Sequence, residues 1–137
     1  MTFVLDSSVS LSWVFEDERT GATRALLDRM ADSRAMAPAH WPLEGLNGLA
    51  MAERRNRIDS VKRLSYIGFL HDLPVTIDPE TADRAWTVTA QLATRCRLTL
   101  YDAAYLELAL RLVLPLATLD RDLRAAGDAL GVTLLGV

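Results

Sequence analysis

Short unbroken apolar runs alternate along this chain with longer stretches in which apolar residues recur every three or four positions. The first rhythm suits a strand buried on both faces, the second an amphipathic helix. Residues 2–5 are a β-type run that stops at Asp6, and a helical stretch begins near Ser7. Residues 20–33 read as a second helix, with Ala22, Ala25, Leu26 and Met30 at helical spacing. Residues 35–39 form a short buried strand closed by Pro38. Pro42 suits the first turn of a third helix, where a missing N–H costs nothing, and that helix reaches about Asn56. Asp59 can cap a fourth, with Val61, Leu64 and Ile67 along one face. Pro74 punctuates before a strand at 75–77. Asp78 and Pro79 open a fifth helix to about Arg95, and Thr99 caps a sixth to about Val113. A strand at 116–119, a helix at 120–130 and a strand at 132–135 after Gly131 complete the pattern.

Strands alternating with helices of this length predict βαβ units, and so an α/β fold with a short-stranded parallel central sheet covered by helices. The 137 residues fit one domain over 1–137 with one core. Half of them are hydrophobic and 24% are charged, the mix of an ordinary globule rather than a disordered or fibrous chain. Cys96 is the only cysteine, which excludes an intrachain disulfide and a cysteine-based zinc site. The start of the chain has no positive leader and meets Asp6 after five residues, and no apolar run nears the roughly 20 needed to cross a bilayer. A cytoplasmic protein without a membrane partner is the expectation.

Fifteen basic and 18 acidic residues leave a net charge of −3, so overall charge does not announce a nucleic-acid binder. The cations are unevenly spread: Arg54, Arg55, Arg57, Lys62 and Arg63 fall within ten residues. They form either a solvated helix end or a phosphate contact. Trp13, Trp41 and Trp86 read mostly as core, Cys96 as a small packing residue, and His40 and His71 as structural or exposed.

Candidate chemistry lies at the strand ends. In a parallel sheet the site forms beyond the carboxyl ends of the strands. Asp6 and Asp120 follow strands directly, while Glu44 and Asp102 sit in the first turns of helices. They are 38, 58 and 18 residues apart, so only the fold can gather them. Clustered carboxylates repel one another, and a divalent cation resolves the repulsion. All-oxygen ligands favour Mg2+ or Mn2+, and Mg2+ commonly keeps water and takes one or two carboxylates. Such a centre suits phosphodiester hydrolysis. Each acid also has a purely structural explanation. Thr99 and Asp102 can form a capping box, Glu44 can favour a helix N-terminus, and Asp6, Ser7 or Asp120 can be N-caps.

Four blocks in order give the sequence a family resemblance: FVLDSSVSLSWVFEDE with Asp6 and Trp13, APAHWPLEGLNGL with Glu44 and Asn47, LTLYDAAYLELAL with Asp102, and PLATLDRDL followed by GVTLL with Thr118 and Asp120. The chain resembles the PIN-domain ribonucleases, and among them the VapC-type toxins of bacterial toxin–antitoxin pairs. The resemblance implies a three-layer α/β/α fold and an Mg2+- or Mn2+-dependent endoribonuclease acting on RNA. Its catalytic acids fall on Asp6, Glu44, Asp102 and Asp120, with Asp6, Asp102 and Asp120 as metal ligands. It further implies a cognate antitoxin and a homodimer. Two departures stand out. Ser8 occupies a position where many members carry asparagine, and Asp122 competes with Asp120 as the fourth acid, of which Asp120 ends the strand directly.

The implied antitoxin would lie along the early helices, touching Trp13, Val14, Phe15, Leu46 and Leu49, and would put an arginine into the acidic pocket. Two other readings remain. One is a catalytically silent interaction module in which the acids are caps. The other is a phospho-acceptor receiver domain, which needs a lysine after a late strand, whereas Lys62, the sole lysine, lies in a helical stretch.

Overall fold

The computed structural model describes residues 2–137. Its strands are β1 (Val4–Leu5), β2 (Ala35–Ala37), β3 (Val75–Ile77), β4 (Leu116–Ala117) and β5 (Leu134–Leu135). All pair in parallel, in the order β3-β2-β1-β4-β5. Val4 pairs with Met36 on one side and Leu116 on the other, so β1 is central. Strand order reverses between β1 and β4, and there a doubly wound sheet opens its binding crevice. The strands are shorter at their ends than the apolar runs suggest, because only these residues complete the ladder.

Helices α1 (Ser7–Ser12), α2 (Gly21–Arg29), α3 (Trp41–Arg54), α4 (Ser60–Asp72), α5 (Thr81–Arg84), α6 (Ala90–Cys96), α7 (Leu100–Leu112) and α8 (Arg121–Ala129) flank the sheet. A 3-10 turn covers Glu16–Glu18. The caps follow local chemistry. Thr20 and Thr23 bond reciprocally at the start of α2, the Asp59 carboxylate accepts from Lys62 N–H, and Pro42 stands in the first turn of α3. α7 is the central helix, with every residue from Ala103 to Ala109 buried. It packs on β1 and β4 and beside α6 and α8, while α3 packs between α1 and α4. Phe3, Val4 and Leu5 are fully buried in the main core, and Val14, Phe15, Leu49, Ala52, Ile58 and Leu70 form a second cluster. Full burial of each such large side chain contributes about 1.5–3 kcal/mol.

Four expectations need correction. The single fifth helix is α5, a wide π turn at Ala85–Thr89, and α6. Trp86 lies in that turn and is 87% exposed, not core, so a large aromatic side chain alone does not place it inside. On α4, Val61 and Leu64 face solvent, because the helix meets its neighbours through Tyr66, Ile67 and Leu70. Trp13, Val14, Phe15 and Leu49 are interior, so of the five apolar residues expected to border a partner only Leu46 is exposed.

A candidate carboxylate centre at the sheet edge

The central position of β1 puts Asp6 in the middle of the carboxyl edge of the sheet, with its N–H donating to Ala117 O of β4 at 3.0 Å. Asp6 occupies the N-cap position of α1, yet its side chain caps nothing. Instead Oδ2 accepts from Ser8 Oγ at 2.6 Å and Thr118 Oγ1 at 2.7 Å. Both hydroxyls address the same oxygen, which leaves Oδ1 without a protein donor. Ser8 also accepts from Leu119 N–H, and Thr118 Oγ1 from Asp120 N–H, so these two residues stitch β1 to the loop after β4. Ser8, short as it is, reaches the first acid.

Asp120 combines a structural role with an open one. Its Oδ2 caps α8 by accepting from Leu123 N–H at 2.8 Å. Asp122 is exposed, two residues beyond Asp120 and second in that helix. Asp102 lies in the first turn of α7, but the cap is Thr99, whose hydroxyl accepts from Asp102 N–H. Asp102 returns no bond to the Thr99 N–H, so the pair is half a capping box. Glu44 enters from α3 as the Tyr105 phenol donates to its Oε1 at 2.6 Å, with Ser7 Oγ more distant at 3.4 Å. His40 donates from Nε2 to the Tyr101 carbonyl at 3.0 Å and lies 3.7 Å from Glu44. Its ring meets those of Tyr101 and Tyr105 edge-on. Asn47 is exposed on α3.

The charges of all four acids are felt together. Burial raises the Asp6 carboxyl above its usual range, and Glu44 and Asp120 raise it further, against the two hydroxyls. Asp102 is pushed up to about 6 by burial and by Asp120, Asp6 and Glu44. Burial also raises the Tyr105 phenol, with the Asp6 and Glu44 charges adding to it, so this group donates and does not ionise.

A second acidic cluster serves as an internal control. Arg111 bonds Asp78 at 2.6 Å, Glu107 at 2.9 Å and Glu80 at 3.2 Å. Burial alone would raise Asp78, but the bonds from Arg111, Glu80 N–H and Thr81 outweigh it and hold the carboxyl low. The strand-end acids have no such cation. Among the described residues, no lysine, arginine or histidine pairs with Asp6, Asp102 or Asp120. A buried carboxylate beside like charges needs a counter-charge or a proton. Oxygen-only donors, a free Oδ1 on a 4%-exposed aspartate and an Asp102 outside any cap suit a hard divalent cation. Among the described residues, no three acidic, histidine or cysteine side chains lie close enough together to hold a metal ion as they stand.

Sequence reasoning missed Tyr105 and the Arg111 network. Tyr105 follows Asp102 by three residues, hence on the same helix face, and Arg111 follows Glu107 by four; both spacings are visible in the sequence. The basic stretch after α3 is partly neutralised by neighbouring acids, while Arg54, Arg55 and Lys62 form no ion pair among the described residues. Arg57 pairs with Asp17 at 2.6 Å and Glu18 at 2.7 Å and lies over Phe15, and Arg63 pairs with Glu53. It also lies at the opposite end of α3 from Glu44.

A family model described as PIN domain matches residues 3–129. The crystal structure of PAE2754 from Pyrobaculum aerophilum superposes with a TM-score of 0.71 over 98% of this chain and 90% of that one, at 20% identity, a likeness of fold. No curated protein sequence matches the chain.

Proposed function

The chain belongs to the PIN domain family, and from that premise we propose that it is an Mg2+- or Mn2+-dependent endoribonuclease acting as the toxin of a toxin–antitoxin pair. PIN domains are generally nucleases, and such nucleases typically use divalent metal ions. The observation that carries the reading is the contrast between two acidic clusters in one chain. Arg111 neutralises one, while among the described residues no lysine, arginine or histidine pairs with Asp6, Asp102 or Asp120 of the other.

In this reading Asp6, Asp102 and Asp120 hold the ion, with Glu44 at the edge. A divalent ion held there would supply the charge that activates water and stabilises the leaving oxygen of a phosphodiester. The protein supplies the arrangement. Ser8 and Thr118 hold Oδ2 of Asp6 and so aim Oδ1 outward. The Leu123 N–H fixes Asp120 by one oxygen. Tyr105 fixes Glu44 by Oε1, leaving Oε2 to accept a proton from water. Outer-shell partners of this kind are typically worth 10–100-fold in metal affinity or activity.

The toxin role, cognate antitoxin and homodimer rest on the four-block resemblance. The acidic pocket supports one part of the inhibition mechanism: an antitoxin arginine would find carboxylates without a cation and exclude metal. A silent module with acids as caps is disfavoured, because Asp6 and Asp102 do not cap through their carboxylates. A receiver domain is disfavoured by Lys62, which is exposed on α4. The test is incubation of the purified protein with total cellular RNA, with Mg2+, with Mn2+ and with EDTA. Cleavage with either ion and none in EDTA is expected. Intact RNA under all three conditions overturns the proposal.

A further inference from the structure

We infer that the cleft between the α6–α7 connection and α8, lined by Arg95 and Arg97 and adjoined by the hollow of Arg121, carries the phosphates of the RNA strand away from the carboxylate centre. This rests on the nuclease reading above and names the surface that reading lacks. Asp120 and Arg121 line one hollow together with Asp122 and Ala125. Asp122 and Ala125 also line the adjoining cleft of about 470 Å3, whose opposite wall is Arg95, Cys96 and Arg97. A continuous depression therefore leads from a candidate metal ligand to an arginine pair.

The charges are free to bind. Among the described residues, none of the three arginines forms an ion pair, although Asp122 shares the cleft and the chain is acidic overall. Two arginines against one carboxylate, Asp122, leave the cleft positive beside the carboxylate centre, and Arg121 faces Asp120 and Asp122 in the adjoining hollow. Arg97 holds a left-handed conformation at the end of α6, with φ 55° and ψ 43°, where a non-glycine residue is disfavoured. Arginine in particular presents a planar fork that fits phosphate oxygens. Nucleic acid is favoured over an acidic peptide because the cleft runs into the carboxylates, which would repel such a peptide and which suit a phosphodiester once a metal ion is present.

The test uses a fluorescent single-stranded RNA of mixed sequence, with a fluorescent polyglutamate peptide in parallel, and the intact protein in EDTA, with binding followed by anisotropy across a salt series. Asparagine suits the left-handed position, so the variant is R95Q/R97N, with R95K/R97K as the charge-keeping rescue and R54Q/R55Q, exposed at the far end of α3, as the control. Each lost phosphate contact lowers the salt slope by about 0.7 for single strands. R95Q/R97N should therefore lose about 1.4 from the slope and bind about tenfold more weakly at low salt, with R95K/R97K close to wild type and R54Q/R55Q unchanged. In the Mn2+ cleavage assay the same variant should raise KM and leave kcat in place. Wild-type binding that R95Q/R97N does not alter overturns the cleft and leaves the nuclease reading standing. A wild type that neither binds nor cleaves RNA overturns both. Loss of polyglutamate binding with RNA binding intact assigns the cleft to an acidic protein and overturns the inference.

Discussion

Asp102 sits among three like charges with its carboxyl pushed up to about 6, and Thr99 rather than Asp102 caps its helix. A group in that position is held against the preference of the metal-free fold. Asp102→Asn should abolish RNA cleavage, by about a hundredfold or more, while the metal-free melting temperature stays level or rises. A paired activity assay and thermal melt check this; a folded variant that still cleaves removes Asp102 from the chemistry. Thr118 offers a complementary case. It is fully buried and donates to a charged oxygen, so Thr118→Val should cost about 1.5–3 kcal/mol in urea unfolding and lower activity about 10–100-fold. The sequence displays Asp6 and Asp120 plainly, because a buried strand ending in aspartate is a local pattern. Whether an aspartate caps or is left free depends on side-chain rotation, and that is set by Ser8 and Thr118 across 112 residues of chain.

At the scale of elements, α7 joins the two acidic clusters. Its first turn carries Asp102, and its last turns carry Glu107 and Arg111. Glu107 and Asp78 are almost wholly buried and share one guanidinium. Arg111→Met leaves both without a counter-charge and should cost about 3–5 kcal/mol, read as a fall in the urea midpoint with unchanged m. Losing activity only in proportion to folded protein is the expected companion result. Element type was legible in the sequence from apolar spacing and from the caps at Asp59 and Thr99. The π turn at Ala85–Thr89 was not, because no residue there breaks a helix, and Trp86 was misplaced with it. The outward turn of Val61 and Leu64 was equally hidden. Spacing shows that a helix has an apolar side, and only the packed neighbours show how much of that side is covered.

Over the whole molecule, parallel order β3-β2-β1-β4-β5 converts four distant acids into one negative centre. That concentration of charge has a consequence for stability. Asp6 and Asp102 both bind protons more tightly folded than unfolded, and for Asp102 the folded state holds the extra proton between the usual carboxyl value of 3.8 and about 6. The Asp102 contribution is full below that window and is lost as pH rises through about 6, and Asp6 acts in the same sense. Asp78, held low, acts in the opposite sense and only in more acidic solution. The metal-free protein should therefore melt at a lower temperature at pH 7.5 than at pH 5.5, and Mg2+ should narrow the difference. A thermal melt series with EDTA and with Mg2+ checks both signs; a metal-free melting temperature that rises over this range contradicts the charge account.

The central claim is that the uncompensated carboxylates gather a divalent cation, and Mn2+ binding followed by electron paramagnetic resonance addresses it without any RNA. The wild-type protein should take up Mn2+ competitively with Mg2+, Asp102→Asn should bind it about 10–100-fold more weakly, and removal of an exposed acid away from the centre, Asp32→Asn, should leave binding unchanged. Wild-type protein that leaves the Mn2+ signal free, or an Asp102→Asn variant that binds as the wild type does, contradicts the assignment.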